Sequence, residues 1–142
     1  MSVVLDTNVL VAGLLSSAGP PARILEAVLA GRLELAIDSA IADEYADVLR
    51  RPEFRFPEDR VKGLLAAIDR FAFWAVAAPP IPVPLPDPDD EPFLAVASAT
   101  GSVLVTGNPR HFPVRCRGDV VVRTPREFLE DMRTVGDNRG NP

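Results

Sequence analysis

Apolar and polar positions fall along the chain in blocks whose period changes, and each block predicts an element. Ser2–Leu5 is a short apolar run stopped by Asp6, and Asn8–Leu15 then reads as a short helix. Gly19, Pro20 and Pro21 break the chain and suit a helix start. Behind them Ile24, Leu25, Val28 and Leu29 recur at helical spacing until Gly31. Leu33–Ile37 alternates as a strand, and Ser39 is placed to cap a helix carrying Ile41, Tyr45, Val48 and Leu49, ended by Pro52. Val61, Leu64, Leu65, Ile68 and Phe71 define another amphipathic helix between Pro57 and Phe73, with Trp74–Val76 as a strand.

Seven of the fifteen prolines lie between Pro79 and Pro92, nearly every second residue, which favours an extended strap. After it come a helix Asp90–Thr100, a strand Ser102–Thr106, a turn at Gly107, Asn108 and Pro109, and a strand Val120–Val122. Thr124, Pro125 and Glu127 then form a capping box that opens the last helix. Residues 134–142 lack apolar periodicity and read as a flexible tail behind a domain of residues 1–133. Strands alternating with helices predict an α/β fold, a mainly parallel central sheet flanked by helices.

Composition narrows the choice of chemistry. A chain of 142 residues suits one domain, and 47% hydrophobic with 25% charged residues fits neither disorder nor a fibrous repeat. The single cysteine, Cys116, excludes both an internal disulfide and a thiolate zinc site, so any metal must be held mainly by oxygen. The start, MSVVLDTN, has no basic leader, and no apolar run approaches the roughly 18 residues of a membrane span. A cytoplasmic protein with no membrane partner is the expectation. Fifteen Lys and Arg against twenty Asp and Glu give a charge of −5, which argues against a non-specific nucleic-acid binder. It does not argue against an enzyme that cuts nucleic acid. All the Lys and Arg are arginines except Lys62; arginine suits phosphate contact, although a GC-rich genome gives the same bias.

In open α/β sheets the ligand crevice lies beyond the carboxyl ends of the strands. Asp6 with Thr7 and Asn8, Asp38 with Ser39, and Thr106 with Gly107 and Asn108 all follow predicted strands. Helix phase then sorts the remaining acids. Glu44 falls on the rim of the face made by Ile41, Tyr45, Val48 and Leu49, whereas Asp43 and Asp47 fall on the far side. Asp90 shares the face of Phe93, Leu94 and Ala97, while Glu91 points away. Three inward carboxylates would repel by about 4 kcal/mol per pair at ~4 Å, so they need a cation or protons between them. With oxygen ligands the natural cation is Mg²⁺ or Mn²⁺, and the implied chemistry is metal-assisted phosphodiester hydrolysis. Plainer readings stand beside this one: Asp6 as a helix cap, Glu44 paired with Arg23 or Arg50, Asp90 solvated with Asp87 and Asp89, Asn108 as a cap before Pro109. His111 and Cys116 read as structural or incidental, and Phe71, Phe73 and Trp74 as core.

Four segments in order, VVLDTNVLVAGLL, SAIADEYADVL, DPDDEPFLAVASATG and LVTGNPRHF, resemble the PIN-domain ribonucleases. Within that family the likeness is to the small bacterial, VapC-like toxin components of toxin–antitoxin systems. The resemblance implies a Rossmann-like sheet whose acidic pocket binds Mg²⁺ or Mn²⁺ and cuts single-stranded RNA. It places the family's first three acids on Asp6, Glu44 and Asp90 as catalytic and metal-holding groups. The fourth, often an aspartate, is Asn108 here, which adds no charge and makes a second metal ion less favoured. Thr7, Asn8, Ser39 and Thr106 would position carboxylates or water, and Arg110 is the first candidate for a substrate phosphate. An antitoxin partner and a homodimer are also what the resemblance implies. Two alternatives remain at this point: a catalytically degenerate PIN fold kept as a binding module, and a receiver-like phospho-acceptor. The receiver normally needs a lysine near its acids, and Lys62 lies in a helix of the middle segment.

Overall fold

The structure, a computed structural model, describes residues 1–139. Five short strands, β1 (Ser2–Leu5), β2 (Glu34–Ile37), β3 (Phe73–Trp74), β4 (Val103–Val105) and β5 (Val122–Arg123), form one parallel sheet in the order β3-β2-β1-β4-β5. Val3, Val4 and Leu5 of the central strand are fully buried. A parallel strand covered on both faces must be apolar throughout, hence a run rather than an alternation. The register places Leu5 beside Val105 and Val105 beside Arg123, so the residues leaving β1, β4 and β5 emerge at one edge.

Six helices cover the sheet: α1 (Thr7–Leu15), α2 (Pro20–Leu29), α3 (Ser39–Leu49), α4 (Glu58–Phe71), α5 (Glu91–Thr100) and α6 (Pro125–Arg139). Gly13 lets α1 approach α2, since a Cβ there would stand 3.1 Å from the Pro21 carbonyl oxygen. Gly101, at φ 67°, closes α5 in the left-handed conformation that glycine adopts at least cost. The capping box of α6 forms: the Glu127 N–H donates to Thr124 Oγ1 (3.2 Å) and the Thr124 N–H to Glu127 Oε1 (2.9 Å). The cap of α3 differs from expectation. It is Asp38, whose Oδ1 accepts the Ile41 N–H at 2.9 Å, leaving Ser39 as an exposed first helical residue.

The helical backbone of α6 runs through residues 134–139, where apolar periodicity has already ended, and residues 140–142 of the expected tail lie outside those described. Backbone bonding needs no apolar stripe to extend a turn, and Thr134 Oγ1 bonds the Glu130 carbonyl at 3.1 Å. The proline-rich strap is tied down by buried Leu85 and by Cys116, whose Sγ donates to the Pro84 carbonyl at 3.6 Å. Phe71, Phe73 and Trp74, read as core from sequence, are 63%, 50% and 37% exposed. They stand on or beside β3, a two-residue edge strand that pairs with β2 and has no strand on its outer side. No helix among the described residues is long and apolar enough to cross a membrane.

Candidate active site

Asp6 leaves the central strand at its carboxyl end, its N–H donating to the Val105 carbonyl at 2.9 Å. It precedes α1 without capping it through its side chain, so the carboxylate is available for other partners. Thr106 Oγ1 donates to Asp6 Oδ2 at 2.8 Å, and Asn8 Nδ2 donates to the same oxygen at 3.3 Å. The start of α1 and the loop after β4 are themselves joined, because the Gly107 N–H donates to Asn8 Oδ1 at 3.0 Å, and within that loop the Asn108 N–H donates to Thr106 Oγ1 at 3.0 Å. Asp6 is only 6% exposed, and burial raises its pKa despite these hydrogen bonds.

Glu44 reaches the same place from α3. Its side chain accepts a hydrogen bond from Thr7 Oγ1 and pairs with neither Arg23 nor Arg50. Its pKa is raised by burial first and then by the charges of Asp6 and Asp89, with the Thr7 bond acting the other way. Asp90 arrives from the third segment. It closes the short 3-10 turn Pro88–Asp90 and precedes α5, with its side chain 14% exposed and Oδ2 buried without a hydrogen-bond partner. Burial, then the charges of Asp6 and Asp87, push its pKa to about 6, with His111 pulling the other way.

All three acids line one cleft of about 540 Å³, together with Thr7, Asn8, Asp87, Asp89, Arg51 and His111; Val11, Ala12, Leu15, Val48 and Phe54 make its apolar wall. The sequence-predicted positioning groups Thr7, Asn8 and Thr106 bond the carboxylates directly, whereas Ser39 is exposed and Asp38 does the capping. Asn108 does not line the cleft; its Nδ2 donates to His111 Nε2 at 2.9 Å. With that nitrogen accepting, the other carries the proton and turns it toward Asp90, Nδ1 standing 3.6 Å from Asp90 Oδ2. His111 is thus a residue that sequence reasoning set aside, brought in by the 3-10 turn Pro109–His111. Arg110 is not among the lining residues; the arginine there is Arg51, 3.7 Å from Asp47.

The donor set suits a hard divalent cation: carboxylates only, mutually repelling, one buried oxygen unpartnered. The side chains are not drawn tightly together, since no group of three or more His, Cys, Asp or Glu stands in metal-holding geometry among the described residues. The donors therefore fit a metal ion by their chemistry and by lining one common cleft.

A stability prediction follows from Asp90. A carboxyl whose pKa rises on folding stabilises the fold below its ordinary 3.8, and that contribution is lost as pH rises through about 6. The metal-free protein is therefore expected to melt higher at pH 5 than at pH 7. Asp90→Asn is expected to flatten that slope and raise Tm at pH 7 by about 4 °C, taking roughly 1 kcal/mol after solvent screening at the cleft mouth. Calorimetry in chelator checks this, and a lower Tm for Asp90→Asn at pH 7 contradicts it.

The fold and site together define a parallel α/β domain with an acidic cleft at its strand ends. The PIN domain family model matches residues 2–110, and the chain belongs to that family, whose members are in general nucleases. No curated protein gives a sequence match to the chain. Among solved structures it is similar to a chain in the crystal structure of VapBC2 from Rickettsia felis bound to a DNA fragment from their promoter. The TM-score is 0.56 at 15% identity, covering 87% of this chain and 98% of that one, which is a likeness of fold.

Proposed function

We propose that the chain is a metal-dependent endoribonuclease, the toxin of a toxin–antitoxin pair, with Mg²⁺ or Mn²⁺ held by Asp6, Glu44 and Asp90. The observation that carries this reading is the convergence of three buried or half-buried carboxylates from three distant segments on one cleft, with Asp90 Oδ2 unpartnered. When bound, the ion would lower the pKa of a water and stabilise charge developing on phosphorus. The protein's own groups do the positioning. Thr106 and Asn8 fix the rotamer of Asp6, and Thr7 fixes Glu44. Asn108 assists through His111, which faces Asp90. The apolar wall offers a surface for bases, and Arg51 offers a positive charge for a phosphate at the rim. An acidic cleft disfavours RNA until the cation is present, so substrate and metal should bind cooperatively. The antitoxin partner is supported by the four family segments and by the likeness to a chain of VapBC2.

The purified protein with end-labelled single-stranded RNA should give internal cleavage with Mg²⁺ or Mn²⁺, none in EDTA, and none on DNA of the same sequence. Induced in bacteria it should arrest growth, and the Asp6→Asn form should not. RNA that is bound but never cut under any metal overturns the nuclease reading in favour of a binding module. Stable labelling of Asp6 by a small phosphodonor would instead favour the receiver.

A further inference from the structure

Outside the acidic cleft, a groove of about 470 Å³ runs between α2 and α6, lined by Pro20, Arg23, Arg126, Leu129, Glu130 and Arg133. The three arginines are exposed, and none forms an ion pair among the described residues. Arg50, Arg51 and Arg123, by contrast, each face a carboxylate. On a chain of net charge −5 this is a local reversal of sign, with Glu130 the single acid in the groove. Its support is firm, since Ile24 and Leu25 beneath α2 and Phe128 beneath α6 are buried.

The groove starts at the edge that carries the acids. The Thr106 N–H donates to the Arg123 carbonyl at 2.9 Å, and α6 begins two residues later at Pro125. The first turn of α6, with Arg126, therefore stands beside the loop whose Thr106 bonds Asp6. Strands lie about 4.8 Å apart, which puts the end of β5 about 10 Å across the sheet from the end of β1. Arg126 and Arg133 are two helical turns apart on one face, a further ~10 Å. A polymer with one phosphate among the acids would have its next phosphates within reach of these guanidinium groups, which grip phosphate with two parallel hydrogen bonds.

We propose that the α2/α6 groove binds phosphates of the single-stranded RNA that flank the bond being cut, through Arg23, Arg126 and Arg133. This rests on the ribonuclease reading. RNA is favoured over an acidic protein segment because the groove offers few apolar anchors, Leu129 and Pro20, and protein docking sites are organised around such anchors.

The test measures binding of fluorescent RNAs of four and sixteen nucleotides to the Asp6→Asn protein with Mg²⁺, alone and with Arg23→Gln, Arg126→Gln and Arg133→Gln combined. The sixteen-mer should bind about tenfold more weakly to the combined variant, and its log–log salt slope should fall by about 2, roughly 0.7 per phosphate contact. The four-mer should bind equally to both. Equal binding of the sixteen-mer, with an unchanged slope, overturns the groove while leaving the nuclease reading intact. Poly-glutamate is titrated against the same two proteins, and loss of its binding in the combined variant without loss of RNA binding overturns the proposal in favour of an acidic protein. If the wild-type protein cuts no RNA with Mg²⁺ or Mn²⁺, the ribonuclease reading itself falls.

Discussion

Asp6→Asn should lower the rate of RNA cleavage by about 10³ or more, with the folded protein at least as stable as the wild type in chelator. The substitution keeps the shape of the side chain and removes one charge from the cleft. A loss of 10³ corresponds to about 4 kcal/mol of transition-state stabilisation, the scale expected when a charged ligand is removed from a metal that bears the reaction's charge. The fold should survive because an amide oxygen can still accept from Thr106 Oγ1 and Asn8 Nδ2, the bonds that Asp6 Oδ2 accepts now. Stability should not fall because burial already raises the Asp6 pKa, so the ionised form at neutral pH is the strained one. Glu44→Gln and Asp90→Asn should behave alike. Thr106→Val, which removes the donor to Asp6, should cost ~10–100-fold, the range for groups that orient a metal's ligands. Single-turnover cleavage at saturating Mn²⁺ reads these rates. Equal cleavage by wild type and the three carboxylate variants would show that the assignment of the acids is wrong.

The acids were legible in the sequence for a reason tied to where they sit. Asp6 ends an apolar run that a buried parallel strand requires, and helix phase alone turns Glu44 and Asp90 toward the core side. Asp43 and Asp47, sorted outward by the same argument, are exposed. What escaped depends on irregular backbone or on what is absent nearby. His111 enters the cleft because a 3-10 turn after Asn108 carries it there, and no periodicity announces such a turn. Arg51 rather than Arg110 reaches the cleft because the chain turns at Pro52 directly after α3. Phe71, Phe73 and Trp74 have the composition of core, but burial depends on having a neighbour, and β3 is the sheet's edge. The basic groove joins α2 to α6 across about a hundred residues of sequence, a pairing only the folded chain displays.

Tyr45 shows how closely the site depends on the core beneath it. The ring is fully buried on α3, its hydroxyl donates to the Leu5 carbonyl at 2.6 Å, and its centroid lies 6.5 Å from that of Phe93 at a tilt of 41°. It follows Glu44 in the chain, Leu5 precedes Asp6, and Phe93 is three residues beyond Asp90. One side chain therefore touches the supports of all three acids. Burial holds its pKa well above the ordinary range, so it remains a neutral donor at neutral pH. Tyr45→Ala should destabilise the protein by about 4 kcal/mol through the lost ring and the cavity it leaves, a large part of the ~5–15 kcal/mol that such a domain has. Tyr45→Phe keeps the ring and orphans the Leu5 carbonyl, for about 1–3 kcal/mol. It should also lower kcat for RNA more than it raises KM, since the displaced groups support the three carboxylates proposed to hold the metal rather than the flanking groove proposed for the RNA. Urea unfolding with an unchanged m-value measures the first effect and steady-state kinetics the second. If Tyr45→Phe matches wild type in both, the Tyr45–Leu5 hydrogen bond does not brace the cleft, and the alignment of the acids must come from Thr7, Asn8 and Thr106 alone.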